Sequence, residues 1–349
     1  MKRFTSILTE DSNGIQHNIP NTRYWKWKIN ELGFRGKAIA AEKKKGQIRI
    51  VCLGGSETFG YYEGRGKEWP SQLEKMLKDT FPGVEVINAA VAGLQTKNRK
   101  EYVQKYILPL KPDILILYHH RFIIFLKEEM RGVINTKGAR KATKKTTRNP
   151  VGLFDAHIKY LFENEQAGER YLYLARWLSK RITMWKLRRK IEKREKKFLV
   201  NKEPLDEAPE HLVVVYERDL RLFIDYLKEN NIIPVLSTFP FLTTASNKDK
   251  YHYELLATRR GCVELSENGI LDGLKKLNEM IRRIAEEQHI FFIDNDHLIT
   301  KTKEYFVDNF HYTDKGAEVI AKNIHYILDH CELLKKRTLP TDRSFEISS

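Results

Sequence analysis

Short apolar runs alternate along the chain with longer stretches in which apolar residues recur every three or four positions. The runs are rich in β-branched residues and are bounded by polar residues or glycines, which predicts buried strands. Five strands are predicted in this way, at Ile48–Leu53, Val84–Asn88, Asp113–Tyr118, Ile232–Ser237 and Ile290–Ile293. The longer stretches predict helices at Trp69–Phe81, Arg99–Leu108, Glu217–Glu229, Gly273–Gln288 and Lys315–His330. Strands separated by helices pair in parallel and carry helices on both faces, so the pattern predicts an α/β doubly wound sheet.

The two ends of the chain lie outside this alternation. Residues 1–47 show no clear periodicity, which predicts an N-terminal arm laid over the main domain. That domain is predicted to comprise residues 48–126 and 211–332, and residues 333–349 are a C-terminal tail.

An insertion, residues 127–210, separates the third predicted strand from the fourth. Its first part, 127–150, is rich in Lys, Thr and Arg and predicts a loop. Its second part, 171–200, has a helical pattern in which Trp and aliphatic residues are mixed with many Lys and Arg. The insertion is therefore expected to be basic and largely helical.

The composition is that of a globular protein. The chain has 349 residues, of which 41% are hydrophobic, so it is long enough to bury a full core. Its three cysteines, Cys52, Cys262 and Cys331, lie far apart and match neither a disulfide framework nor a zinc-binding spacing. Residues 1–20 lack the apolar segment of a secretory signal, and no window has the ~20 apolar residues that cross a bilayer. These features predict a cytoplasmic location.

The net charge of +16 is concentrated in one part of the chain. Residues 121–203 hold 23 Lys and Arg against 9 Asp and Glu, so they carry +14 while the rest is nearly neutral. The simplest interpretation is a solvated charged surface. Residues 127–203 also suit a peripheral contact with an anionic membrane at its inner face, or the capture of an anionic substrate or acyl donor. Nucleic acid is disfavoured because no nucleic-acid-binding module is visible. The insertion follows the third strand, beside the expected site, so a lid or substrate-docking role is favoured.

A serine follows the first predicted strand directly. Residues 54–60 read Gly-Gly-Ser-Glu-Thr-Phe-Gly, and a serine on such a turn lies at the carboxyl edge of the sheet, where ligands of open α/β sheets bind. Ser56 is therefore a candidate nucleophile. The alternative is a phosphate-binding or purely structural glycine-rich turn, although the segment lacks the Lys-Ser/Thr ending of a phosphate loop.

Asp308 and His311 stand three residues apart, just before the last predicted helix. On a turn, this spacing lets a carboxylate orient the imidazole that takes the proton of a serine hydroxyl. Gly93 follows the second strand and can present a backbone N–H above Ser56, as half of an oxyanion hole.

A second polar group follows the fifth strand, where Asp294, Asp296 and His297 offer possible metal ligands. A polar loop at a strand end is the favoured interpretation, and neither a metal nor another cofactor is expected.

Three motifs occur in a fixed order: Gly-Gly-Ser-x-Thr-x-Gly at 54–60, Asn-Ala-x-Val-x-Gly at 88–93 and Asp-x-x-His-x-Thr-x-x-Gly at 308–316. Together they resemble the SGNH (GDSL-type) serine hydrolase family. Residues 29–36, Ile-Asn-Glu-Leu-Gly-Phe-Arg-Gly, are also similar to a segment that often precedes the catalytic domain in bacterial members.

The resemblance implies a flavodoxin-like three-layer α/β/α fold with a mainly parallel five-stranded sheet, and serine ester hydrolysis or acyl transfer without a metal. It implies that Ser56 is the nucleophile, His311 the general base and Asp308 the residue that orients it. The backbone N–H groups of Ser56 and Gly93 would form the oxyanion hole.

The chain departs from the family pattern at two places. Gly55 stands where the family usually has Asp before the serine, and His120-Arg121-Phe122 stands where it has Gly-x-Asn after the third strand. His120 is the candidate replacement for that asparagine in the oxyanion hole, and His119 and Arg121 are candidate substrate-binding residues. The alternative is that these are ordinary strand-end residues.

The sequence thus predicts a serine esterase that acts on an O-acyl ester, either of a carbohydrate or lipid-linked. One alternative is an O-acyltransferase that passes the acyl group to a glycan. The other is a non-catalytic binding protein that kept the fold and lost part of the oxyanion hole.

Overall fold

The computed structural model describes residues 7–24, 26–118, 122–135, 171–199, 202–330 and 334, with the backbone alone for 133–135, 171–180 and 330. Nine strands are described: β1 (Leu8–Glu10), β2 (Gln16–Asn18), β3 (Arg23–Tyr24), β4 (Trp27–Lys28), β5 (Ile48–Gly54), β6 (Val84–Asn88), β7 (Ile114–Tyr118), β8 (Ile233–Ser237) and β9 (Phe291–Ile293). The described helices are α1 (Ser56–Phe59), α2 (Trp69–Thr80), α3 (Arg99–Tyr102), α4 (Phe122–Asn135), α5 (Tyr171–Phe198), α6 (Glu210–Glu229), α7 (His252–Arg259), α8 (Glu267–Glu287), α9 (Asn295–Leu298) and α10 (Asp314–His330).

Strands β5 to β9 form one sheet in the order β6-β5-β7-β8-β9, and every neighbouring pair is parallel. This is the flavodoxin-like order, in which the chain reverses its direction across the sheet between β5 and β7. Helices α2 and α10 pack together on one face, and α4, α6 and α8 pack together on the other. The predicted fold class is therefore confirmed, and the five strands end within one residue of their predicted limits.

The sheet is apolar because both of its faces are covered. Strands β5 and β7 are buried along their whole length, including Cys52, which the sequence already places inside a strand. Burial on both faces removes the alternation of polar and apolar residues, so these strands have almost continuous apolar sequences.

Several helices differ from their predicted limits. The segment predicted as one helix over Arg99–Leu108 is a short α-helix, α3, followed by a π-helical turn at Val103–Ile107 and a 3₁₀ turn at Leu108–Leu110. Pro109 lacks the backbone N–H that would bond the carbonyl oxygen of Lys105, so a regular α-helix cannot continue through it. Helix α6 begins seven residues earlier than predicted, directly after Pro209. Helix α8 begins at Glu267, where the Ser266 hydroxyl accepts the N–H of Gly269.

The prediction of a loop over 127–150 was wrong for its first residues. Helix α4 runs without a break to Asn135, because Phe122, Phe125 and Leu126 give it an apolar side that packs against α6 and α8. The rest of that predicted loop lies outside the described residues. The predicted helix over 171–200 agrees with α5.

The arm contributes to the main core. Its described part forms two short antiparallel pairs, β1 with β2 and β3 with β4. Ile15, Phe34 and Ile39 are buried in the same apolar cluster as the sheet.

Among the described residues, no helix combines the length and the apolar content needed to span a membrane.

Arg49 ties the arm to the beginning of the sheet. Its side chain is completely buried, and Nε lies 2.7 Å from the carboxylate of Glu85 on β6. The remaining guanidinium donors reach the carbonyl oxygens of Ala40 and Ala41 in the arm. They also reach that of Leu110, at the end of the 3₁₀ turn that precedes β7. A guanidinium is suited to this position because its planar fork of donors satisfies several acceptors at once.

We expect Arg49→Met to lower the free energy of unfolding by about 3–5 kcal/mol, because it leaves the Glu85 carboxylate without its partner. Chemical denaturation with urea measures this change. Arg218→Met is the control, since Arg218 forms an exposed pair with Asp219 on the surface of α6 and should leave the midpoint almost unchanged. Equal, small effects of the two substitutions would contradict the buried anchor.

Candidate active site

The turn that carries Ser56 packs against the carboxyl ends of β5 and β7. β5 ends at Gly54, and Ser56 opens the four-residue helix α1. A Cβ on Gly54 would lie 2.0 Å from Thr58 Oγ1 and 2.7 Å from the carbonyl oxygen of Tyr118, so only glycine fits there. Thr58 Oγ1 in turn donates to that same carbonyl oxygen at 3.1 Å. The serine is therefore held at the carboxyl ends of β5 and β7, the point of chain reversal where α/β folds bind ligands.

Ser56, His311 and Asp308 lie together in a hydrogen-bonded row. Nε2 of His311 is 2.7 Å from Oγ of Ser56, and Nδ1 of His311 is 2.8 Å from Oδ2 of Asp308. The other oxygen of Asp308 accepts the backbone N–H groups of Phe310 and His311, each at 3.0 Å. The carboxylate is thus fixed by its own loop, and it fixes the tautomer of the imidazole. The structure brings together the three residues that the sequence singled out.

The electrostatic surroundings favour the ionised forms of both His311 and Asp308. Burial alone would lower the pKa of His311, but the carboxylate of Asp308 outweighs it and the pKa is raised above its ordinary value. Burial likewise opposes ionisation of Asp308, yet the charge and hydrogen bonds of His311 lower the pKa of this carboxyl. The site is therefore prepared to hold a protonated imidazole next to a carboxylate.

Two further carboxylates add to this effect, and sequence reasoning missed both. Glu57 is buried one residue after Ser56 and accepts the N–H of Gly55 at 2.7 Å. Glu63 is almost fully buried, and burial raises its pKa to about 8. The charge of Glu57 raises the pKa of His311, and Glu63 adds to this effect only when it is ionised. Glu57 stands between Ser56 and Thr58, and Glu63 between Tyr62 and Gly64. Neither pattern reveals where the side chain points.

Aromatic rings surround the imidazole of His311. The ring centroid of Phe310 lies 4.5 Å away, and Tyr62 presents an edge-on contact at 5.2 Å. Tyr61 lies at 6.0 Å, and Phe241 stacks on Phe310. These rings limit the access of water to the imidazole and form an apolar wall beside the serine.

Gly93 lies on a loop that is attached to the serine turn. The N–H of Val91 donates to the carbonyl oxygen of Gly54 at 3.1 Å, and the N–H of Leu94 donates to the carbonyl oxygen of Val91 at 3.0 Å. Gly93 has a φ of +95°, a backbone conformation that favours glycine. The loop is thus hydrogen-bonded to the last residue of β5, two residues before Ser56.

The third oxyanion donor is expected at the carboxyl end of β7. His119, His120 and Arg121, the predicted oxyanion and substrate-binding candidates, lie outside the described residues. Phe122, which stands at the position of the family's asparagine, is completely buried against Phe125 and Tyr216. It is therefore a core residue.

Arg35 of the arm supports the serine turn from outside, and sequence reasoning assigned it no role. Its buried guanidinium donates to the carbonyl oxygens of Phe59, at 2.5 Å, and of Gly60. It also reaches the carbonyl oxygen of Gly64 at 3.4 Å and the carboxylate of Glu68 at 3.2 Å. The carbonyl groups at the end of so short a helix lack helical partners. Arg35 supplies donors for Phe59 and for Gly60, which follows the helix, and the side-chain amide of Asn88 donates to Thr58 at 3.1 Å.

The polar group after β9 forms a network of ion pairs. Arg282 contacts Asp294 at 2.9 Å and Asp296 at 3.3 Å, and Lys301 contacts Asp296 at 2.8 Å. Burial opposes the ionisation of Asp294, but hydrogen bonds from Arg282, Thr238 and His297 lower its pKa to about 2. Within the described ranges, no three His, Cys, Asp or Glu side chains are grouped as they would be around a metal ion.

Comparison with known proteins gives structural neighbours only. No family model matches the chain, and no curated protein sequence matches it. An α/β hydrolase enzyme from the metagenome of Lake Arreo is 12% identical with a TM-score of 0.46, over 81% of this chain and 95% of that one. A GDSL-like lipase from Bacteroides thetaiotaomicron is 12% identical with a TM-score of 0.42, over 84% and 93%. A catalytic variant of an acetylxylan esterase from Geobacillus stearothermophilus is 12% identical with a TM-score of 0.44, over 80% and 94%.

We expect Arg35→Lys to loosen the serine turn locally. Lysine keeps the charge but cannot donate to several carbonyl groups at once, and a hydrogen bond from a charged donor contributes about 1.5–3 kcal/mol. Hydrogen exchange should therefore become roughly tenfold faster, or more, in the peptide 56–68. The exposed Arg23→Lys is the control from the same arm. Unchanged exchange in this peptide would show that Arg35 does not hold the turn.

We expect Asp308→Asn to lower the pKa of His311. The substitution removes the charge that raises this pKa and leaves the burial that lowers it, so the pKa of His311 is expected to fall. An NMR titration of the histidine ring signals measures the change, with the remaining histidines as internal references. A pKa that stays the same or rises would contradict the assigned role of the carboxylate.

Proposed function

We propose that the chain is a serine-dependent carboxylic ester hydrolase that works through an acyl ester on Ser56 Oγ. The observation that carries the proposal is the row of contacts from Ser56 Oγ to His311 Nε2 and from His311 Nδ1 to Asp308 Oδ2, at 2.7 and 2.8 Å. A serine hydroxyl is a weak nucleophile until an adjacent base takes its proton, and this geometry places such a base within reach. The three motifs that resemble the SGNH hydrolases support the same assignment.

In the first half of the reaction, Ser56 Oγ attacks the carbonyl carbon of the ester while its proton passes to Nε2 of His311. The C=O bond opens to an oxyanion, and the imidazolium is stabilised by Asp308. When the oxyanion collapses, the C–O bond to the alcohol breaks and the alcohol leaves with the proton from Nε2. The acyl group remains on Ser56.

In the second half, water takes the place of the alcohol. Nε2 of His311 accepts a proton from the water, whose oxygen attacks the acyl carbon, and the carboxylic acid leaves as Ser56 regains its proton. The imidazole thus acts as base and then as acid in each half. The charge and hydrogen bond of Asp308, which raise the pKa of His311, stabilise the imidazolium that both halves require.

The oxyanion is assigned to backbone donors. We assign the N–H groups of Ser56 and Gly93 to this role because the Gly93 loop is attached to the carboxyl end of β5. His120, or its neighbours His119 and Arg121, is proposed as the third donor and as a substrate contact. One such donor typically contributes about 10²–10³ in rate.

We assign an O-acyl ester of a carbohydrate, or a lipid-linked ester, as the substrate class. The partly exposed Tyr61 and Phe310 support this class, because both lie against His311 and offer ring faces to the alcohol part of the substrate. Aromatic faces stack on the apolar faces of sugar rings as well as on acyl chains.

We expect Ser56→Ala to abolish both labelling by a fluorophosphonate probe and the hydrolysis of a small aryl acetate, with a loss of about 10⁴-fold or more. Ser246→Ala, which changes a serine on the surface loop after β8, should keep both activities. Folded protein that takes no label would contradict the proposed nucleophile. Labelling of Ser56 with transfer of the acyl group to a glycan, and none to water, would replace the hydrolase by an acyltransferase.

A further inference from the structure

The outward side of α5 is strongly basic and carries two exposed apolar residues. Between Arg181 and Lys197 there are nine Lys and Arg and two Glu, a net charge of +7. Within this stretch Ile182 is 51% exposed and Trp185 is 58% exposed. Exposed tryptophan is unusual on a protein surface, and here it is combined with a dense positive charge.

Helical geometry puts these residues on one face. Ile182, Trp185, Arg189, Lys193 and Lys196 follow one another at intervals of three or four residues, and all five are exposed. The guanidinium of Arg189 lies over the Trp185 ring, 5.3 Å from its centroid. We call these five residues the outer face of α5.

The opposite side of α5 is firmly attached to the domain. Leu187 and Ile191 are buried in a small apolar cluster with Leu256 of α7 and Val263. Arg194 donates to the carbonyl oxygen of Arg260, and Glu195 forms an ion pair with Arg259. The attached side is thus apolar with a few polar bonds, so the outer face is presented in a defined direction.

The acidic residues that the structure describes near the outer face do little to neutralise it. Glu195 is paired with Arg259, and Glu264, on the segment that α5 packs against, is paired with Arg131. Glu192 is the exposed acidic residue on this part of the helix. The positive potential of the described stretch is therefore directed outward, and it fits an anionic partner.

We propose that the outer face of α5 binds the surface of an anionic phospholipid bilayer, with the helix lying parallel to the membrane. Basic residues near such a surface contribute about 1 kcal/mol each, and tryptophan prefers the headgroup level. Nucleic acid would pair with the Lys and Arg side chains but offers no apolar contact for the exposed Ile182. A bilayer accommodates both an apolar residue and an aromatic ring. This proposal does not depend on the proposed hydrolase activity.

Co-sedimentation of the full chain with vesicles tests the proposal. Vesicles of phosphatidylcholine alone are compared with vesicles that also contain phosphatidylglycerol, and we expect binding to the second kind only. The double substitution Ile182→Ser with Trp185→Ser should weaken binding at least about tenfold, because it removes the apolar contact. Arg189→Glu with Lys193→Glu should weaken it about 10²-fold or more, because it reverses two charges.

Matched controls come from another helix and from other exposed lysines. Val214→Ser with Leu222→Ser changes two similarly exposed apolar residues on α6, and Lys275→Glu with Lys315→Glu reverses two exposed lysines on other helices. Both control proteins should bind the vesicles like the unchanged chain. Circular dichroism of each variant checks that the fold is kept.

Three results would overturn the proposal. The first is no binding to anionic vesicles. The second is binding that is unaffected by the loss of Ile182 and Trp185, which would reduce the contact to nonspecific attraction between charges. The third is displacement from the vesicles by a short RNA duplex at equal charge concentration, which would make nucleic acid the preferred partner.

Discussion

Parallel pairing requires every strand of the sheet to end at the same edge, and the candidate site depends on this constraint. It brings together the turn after β5 and the loop after β6, which carry Ser56 and Gly93. The segment between the end of β9 and the start of α10 lies at the same edge, so His311 meets a serine 255 residues away in sequence. Gly54 completes the arrangement, because any side chain there would collide with Thr58 and with the end of β7.

The chemistry of the site depends on two opposing effects on His311 and Asp308, their mutual electrostatic attraction and their burial away from water. Removal from water disfavours both the imidazolium of His311 and the carboxylate of Asp308, yet each stabilises the other across 2.8 Å. The backbone N–H groups around Asp308 hold its carboxylate in place, so little reorganisation is needed when the proton arrives. From outside, Arg35 holds the carbonyl groups that follow Ser56, which makes the arm part of the support of the site.

Much of this could be predicted from the sequence because the signals were local. Continuous apolar runs predicted the strands, and the order of the motifs predicted the proximity of Ser56, His311 and Asp308. The contacts of Arg35 and Glu57 could not be predicted, since they depend on where distant segments fold back. The ends of helices were also missed where a cap decided them, as at Ser266 for α8. The continuation of α4 into the first residues of the predicted loop depended on an apolar side formed before it, at Phe122 and Phe125.

The central claim is that Ser56 Oγ carries the acyl group during turnover. The most direct test is to mix the full chain with a small aryl acetate, quench with acid during turnover and locate the modified peptide by mass spectrometry. The account predicts one acetyl group, on Ser56, whose loss to water slows when His311→Ala removes the base. An acetyl group on another residue, or hydrolysis with no modified peptide at any time, would contradict it.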